Sequence, residues 1–159
     1  MFGKTTILRD LVRNISNGID EIGFRGINVG MVDERSELSA LYKGVPQNDI
    51  GIRTDVMENV PKSIGIKMLI RTMAPQVVVA DEIGSSNDVE AIKEAATSGV
   101  KGIFTAHGDS NKNLLNNPIL KSLIQTGIIE RTIFLKRIKD NGIISVGIDA
   151  YNQLEEKAC

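Results

Sequence analysis

Asp81 and Glu82 stand side by side directly after the apolar run Val77, Val78, Val79 and Ala80. A short run of this kind, rich in valine, predicts a strand buried on both faces of a parallel sheet. The two acids then emerge at its carboxyl end, where open α/β sheets bind ligands. Carboxylates in such a place need a positive counterpart, and Gly3-Lys4-Thr5-Thr6 offers one. It reads as the second half of a phosphate-binding loop, G-x-x-x-x-G-K-[ST]. Backbone N–H groups at a helix start point at a phosphate, and the helix dipole favours negative charge there. In that chemistry Lys4 reaches the β- and γ-phosphates of ATP, and the Thr5 hydroxyl ligates Mg2+. Asp81 orients the Mg2+ through its waters. Glu82, pointing the other way from its neighbour on a strand, faces the γ-phosphate and polarises water. The plainer alternatives are an ordinary helix start with a surface lysine, and an acidic pair capping an exposed turn.

Further candidates fall at other strand ends. His107 is the single histidine, in Thr105-Ala106-His107-Gly108, and can donate a hydrogen bond to phosphate or to Glu82. A histidine alone, without a second histidine or a cysteine cluster, argues against a zinc-type metal site. Asp33, Glu34 and Arg35 end another predicted strand and are candidates for the nucleotide site, or simply a solvated turn. Arg53 and Arg71 are candidates to neutralise charge in the transition state, across a subunit boundary or as ordinary surface residues.

The elements that must position these groups follow from periodicity. Ile7, Leu8, Leu11, Val12, Ile15, Ile19 and Ile22 recur at three and four, predicting one amphipathic helix over 4–22. A strand is expected over 27–32 and a long irregular segment over 39–52, of the sort that is usually functional. Helical periodicity runs over 56–73, broken near Pro61. Pro75 delivers the chain into the valine strand. Asn87 or Asp88 is expected to cap a helix ending at Gly99. Then follow a strand over 101–106, a broken helix over 111–125, a strand over 130–136, the hairpin turn Asp140-Asn141-Gly142, and a return strand over 143–148. Alternating strands and helices predict an α/β fold with a mostly parallel sheet, helices on both faces and an antiparallel edge hairpin. One domain over 1–150 and a frayed tail over 151–159 are expected.

Composition narrows the function classes. At 159 residues, with 42% apolar and 25% charged side chains, the chain fits one globular domain with a real core. Nineteen basic against twenty acidic groups leave a net charge of -1, and there are only four Phe and two Tyr. Neither feature supports a nucleic-acid-driven motor. The single cysteine, Cys159, cannot form an internal disulfide, so a reducing cytoplasmic compartment is expected. No apolar run approaches the roughly 18–20 residues of a membrane span, and no secretory leader is expected.

Five motifs in order, GKTTILRDLVR, VDERSEL, YKGVPQNDIGIRTDV, LIRTMAPQVVVADEIG and FTAHG, carry a resemblance over essentially the whole chain up to Ile148. The sequence resembles the stage III sporulation protein AA family, sporulation ATPases related to the hexameric ATPases of type II and IV secretion and of pili. The resemblance implies a RecA-like P-loop core in which Gly3, Lys4, Thr5 and Thr6 match the end of Walker A, and Asp81 and Glu82 match Walker B. Residues 33–37 resemble the secretion ATPases' acidic box, and 105–108 their histidine box. It further implies a homo-oligomeric ring, ATP and Mg2+ as ligands, and membrane-embedded sporulation channel proteins as partners, reached from the mother-cell cytoplasm. The strand and first glycine that begin Walker A fall before Met1. That strand is therefore expected to be missing from the sheet, and the chain as written is expected to bind ATP poorly. A non-catalytic scaffold of the same fold is the alternative.

Overall fold

The valine run does become an interior strand of a parallel sheet in the computed structural model, which describes residues 3–108, 110–140 and 143–152. In chain order the first elements are α1 (Lys4–Asn17), β1 (Gly18–Ile19), a single 3-10 turn (Asp20–Ile22), β2 (Phe24–Arg25) and β3 (Val29–Asp33). Next come β4 (Leu41–Tyr42), β5 (Val45–Pro46), β6 (Thr54–Glu58), α2 (Lys62–Met73), β7 (Val77–Ala80) and α3 (Ser86–Thr97). The last are β8 (Lys101–Phe104), α4 (Asn111–Asn116), α5 (Pro118–Gln125), β9 (Arg131–Asp140) and β10 (Ile143–Asn152). The chain forms two compact units, 5–106 and 1–4 with 107–159.

In the larger unit four strands run in the order β6-β3-β7-β8, all pairs parallel. Alternation sorts their side chains to two faces. Val29, Met31, Val77 and Val79 meet Leu8 and Val12 of α1, with Leu38 and Ile50 closing the cluster. The other face takes α2 and α3. Gly65 lets α2 approach β3, since a Cβ there would lie 2.7 Å from a Val32 methyl. Val78, Val79, Met31 and Val32 are fully buried, each contributing roughly 1.5–3 kcal/mol relative to exposure. The fold is the α/β architecture expected, with helices on both faces.

Several local expectations are corrected. The helix over 4–22 stops at Asn17, because Gly18 takes φ +98 and turns the chain into the short β1–β2 ladder. Residues 56–58, read as the start of a helical pattern, belong to β6: Val56 pairs in register with Met31 and packs on the core, so the sheet overrides local periodicity. The helix over 86–97 is capped by Ser85 rather than Asn87 or Asp88. The Ser85 hydroxyl accepts from the Asp88 N–H at 3.1 Å while the Asp88 carboxylate accepts from the Ser85 N–H at 3.0 Å. The segment over 39–52 is not structureless; it contains the β4–β5 ladder and buries Ser39 and Ile50.

The smaller unit pairs β9 with β10 in an antiparallel hairpin from Arg131 opposite Asn152 to Asp140 opposite Ile143. It forms a separate two-stranded sheet. Asn141 and Gly142, expected in its turn, lie outside the described residues, as do 153–159. The expected tail therefore begins inside β10. Asn117 caps α5 by accepting from the Ile119 and Leu120 N–H groups, with Pro118 at the first helical position. Phe134 is buried and meets Tyr151 edge-to-face at 5.6 Å.

Candidate functional site

Parallel register brings three strand ends to one edge of the sheet. Val32 lies opposite Ala80 and Asp33 opposite Glu58, so the chain leaves β3, β6 and β7 side by side. Helix α1 runs antiparallel to them. Near its start Arg9 donates to the Leu38 and Glu37 carbonyls, both at 2.8 Å, in the loop that follows β3. Near its finish Ser16 meets Arg53 at the opposite edge, accepting from the Arg53 N–H at 2.7 Å. Thr5 and Thr6, in the first turn of α1, are therefore at the carboxyl edge, Thr5 half-buried and Thr6 exposed. Gly3 takes φ +84 just before Lys4 opens the helix; these two residues group with the smaller unit.

At that edge the acids have distinct surroundings. Asp33 is fully buried, and its carboxylate accepts from the N–H groups of Glu37, Leu38 and Ser39 and from the Ser39 hydroxyl, at 2.6–3.2 Å. It is the brace of its own loop. Glu34 pairs with Lys62, which is buried at the start of α2 and stands 3.8 Å from Asp81 Oδ1. Arg35 reaches Glu82 at 3.6 Å. The acidic loop after β3 is thus tied by two cations to the pair after β7.

Asp81 and Glu82 lie beyond the last residue of β7, so simple strand alternation does not set their directions. Glu82 takes φ +35, a left-handed backbone for a residue with a side chain. Thr105, just after β8, holds this turn: its hydroxyl accepts from the Glu82 N–H at 2.6 Å and its carbonyl from the Ile83 N–H at 2.7 Å. Burial pushes the Asp81 carboxyl above the ordinary range; Lys62 opposes that shift, Asp33 and Glu37 add to it, and Arg35 opposes it. Asp81 Oδ1 is buried without a hydrogen-bond donor among the described residues. A desolvated carboxylate oxygen that lacks a hydrogen-bond donor fits an acid that orders a hydrated hard cation. Among the described residues no three His, Cys, Asp or Glu side chains form a metal site by themselves. Magnesium here would take its other ligands from phosphate oxygens, water and Thr5.

The remaining candidates are His107, Arg53 and Arg71. His107 is exposed and belongs to the smaller unit. Arg53 lies at the amino end of β6, its guanidinium donating to the Ser16 carbonyl at 3.0 Å. Arg71, near the end of α2, is exposed and paired with Glu94 at 3.2 Å. Helix α2 starts at the carboxyl edge and hands the chain back to β7, so Arg71 is also at the amino edge. Neither arginine joins the acids of its own chain. Lys62 and Glu58 are residues that sequence reasoning missed at the edge, and Thr105 entered it only as the first residue of the histidine box. Glu58 Oε1 is, like Asp81 Oδ1, buried without a partner among the described residues. The one sequence signal for Lys62 is a lysine straight after Pro61, between two acid-bearing strands.

Comparisons with known proteins agree with this architecture. The chain is similar to the ATPase DotB of Legionella pneumophila with a TM-score of 0.68 at 18% identity, covering 97% of this chain and 43% of that one. It is similar to the pilus retraction motor PilT, solved with bound ADP, with a TM-score of 0.58 at 12% identity, covering 83% of this chain and 40% of that one. At such identities the likeness establishes the fold. In sequence, it is 42% identical over 143 residues to stage III sporulation protein AA of Bacillus subtilis (strain 168), covering 90% of this chain and 46% of the relative. The chain thus spans a little under half the length of these relatives. Among the described residues no helix is long and apolar enough to cross a membrane. The model of the family Sporulation stage III, protein AA matches residues 1–155, and the chain belongs to that family.

Proposed function

We propose that this chain carries the nucleotide-hydrolysing core of a secretion-type ring ATPase that energises a sporulation channel complex between mother cell and forespore from the mother-cell cytoplasm. The observation that carries the reading is the carboxyl edge. Asp81 and Glu82 leave the sheet beside a braced acidic loop, at the edge where α1 begins. The family and the fold support it.

Gly3, Lys4, Thr5 and Thr6 then bind the phosphates of ATP through the N–H groups of the first helical turn and the Lys4 ammonium. Thr5 and Asp81 are the residues that would hold Mg2+, directly and through water. The metal, when bound, neutralises charge on the β- and γ-phosphate oxygens. Glu82 would accept a hydrogen bond from the attacking water and take its proton as the new O–P bond forms and the bond from the γ-phosphorus to the β,γ-bridging oxygen breaks, releasing ADP. Arg35 steadies Glu82, and Glu34 faces the same space through Lys62. Asp33 shapes the loop from within, and His107 donates to phosphate. Arg53 and Arg71, at the opposite edge, would serve the site of a neighbouring subunit in the ring. The test is phosphate release from ATP by the full-length protein. Lys4→Ala should abolish nucleotide binding. Glu82→Gln should leave binding and cut turnover by about 100-fold or more; unchanged turnover removes Glu82 from its role. A second reading, a non-catalytic scaffold of this fold, is favoured by the ion pairs that engage both acids. Absence of phosphate release with intact folding would establish it.

A further inference from the structure

Lys62 is a costly residue where it stands. It is 8% exposed, and a buried ammonium is unfavourable unless paired. It also opens a helix, where the macrodipole disfavours positive charge. Its backbone is firmly set: Pro61 accepts from the Ile64 and Gly65 N–H groups at 3.0 and 2.9 Å, and Gly65 packs on Val32 of β3. From that fixed base the ammonium bridges two different loops, bonding Glu34 after β3 and standing 3.8 Å from Asp81 Oδ1 after β7. The second separation is too long for a hydrogen bond. Lys62 attracts Asp81 without occupying it, and Oδ1 keeps its lone pairs for another donor, such as a metal-bound water.

We infer that Lys62 is a positioning residue for the nucleotide site: it fixes Asp81 in the orientation that orders the hydrated magnesium of a bound triphosphate, and anchors the acidic loop to the same point through Glu34. This rests on the nucleotide reading above. A lysine that merely neutralised buried acids would affect folding stability and nothing else. Outer-shell partners of metal-binding groups, by contrast, are typically worth about 10–100-fold in metal affinity.

The experiment measures binding of a fluorescent ATP analogue with magnesium and with EDTA, using the full-length protein with any residues that flank these 159. Unsubstituted protein, Lys62→Met, Glu34→Gln and the double variant are compared, with thermal melts alongside. Lys62→Met should lose about ten-fold of the affinity gained from magnesium, with affinity in EDTA unchanged. The double variant should show the same loss relative to Glu34→Gln. That comparison decides the matter if Lys62→Met alone does not fold. A magnesium-dependent gain that survives removal of Lys62 overturns the inference, even where the melting temperature falls. Absence of any magnesium-dependent binding in the unsubstituted protein overturns the nucleotide reading and this inference together, so the two failures are distinct.

Discussion

At the scale of single residues, Asp81 and Asp33 show how two acids of one sheet edge are put to different uses. Asp33 spends its lone pairs on backbone N–H groups and a hydroxyl, whereas Asp81 is desolvated, with Oδ1 near Lys62 but without a hydrogen-bond donor among the described residues. A carboxyl raised by burial holds its proton more tightly folded than unfolded. Its contribution to stability is present in full below the unfolded pKa, about 3.9, and is lost as pH rises through the folded value. Asp81→Asn should therefore stabilise the chain at neutral pH, and the gain should shrink as pH falls toward the ordinary carboxylate range. Urea midpoints across that range check the sign; a gain that grows on acidification contradicts it. The adjacency of the two acids and their place at a strand end were legible in the sequence, because a buried valine run leaves few alternatives. Lys62 was not legible, since its burial depends on the approach of Gly65 to Val32, a contact between residues far apart in sequence.

At the scale of elements, the errors share one cause. Residues 18–22 and 56–58 carry helix-compatible spacing, but Gly18 and Ile19 pair with β2 and 56–58 pair with β3, so strand pairing overrides the local pattern. The valine strand, α2 and α3 were legible because their patterns are long or strongly apolar. Even there the ends slipped: the capping residue is Ser85, and the signal was a serine three positions before an acid. Ser85→Ala should cost about 1 kcal/mol, read from a thermal melt, with little change in the α3 core contacts of Val89 and Ile92. An unaltered melting temperature would show that the reciprocal Asp88 bonds carry the helix start alone. Thr105 belongs to the same lesson. The histidine-box motif was visible, but its use as a clamp on the neighbouring turn appears only when β8 lies beside β7.

At the scale of the whole molecule, the distribution of charge across the sheet has a consequence for assembly. The acids gather at the carboxyl edge, while Arg53 and Arg71 sit at the amino edge. A ring in which each amino edge faces the next carboxyl edge would complete sites between copies, a heterologous contact that closes by rotation. Mixing subunits carrying Arg53→Ala and Arg71→Ala with subunits carrying Glu82→Gln should then restore part of the phosphate release that each preparation lacks. If the mixture is no more active than its components, composite sites are ruled out.

The backbone at Glu82 carries a conformational cost as well. A torsion of φ +35 is one that glutamate resists and glycine accepts freely, at a difference of about 1 kcal/mol. Glu82→Gly should therefore melt at a higher temperature than the unsubstituted chain and, on the role proposed for Glu82, release no phosphate from ATP. On that role, the strain is what it costs to hold a carboxylate at the turn after the valine strand.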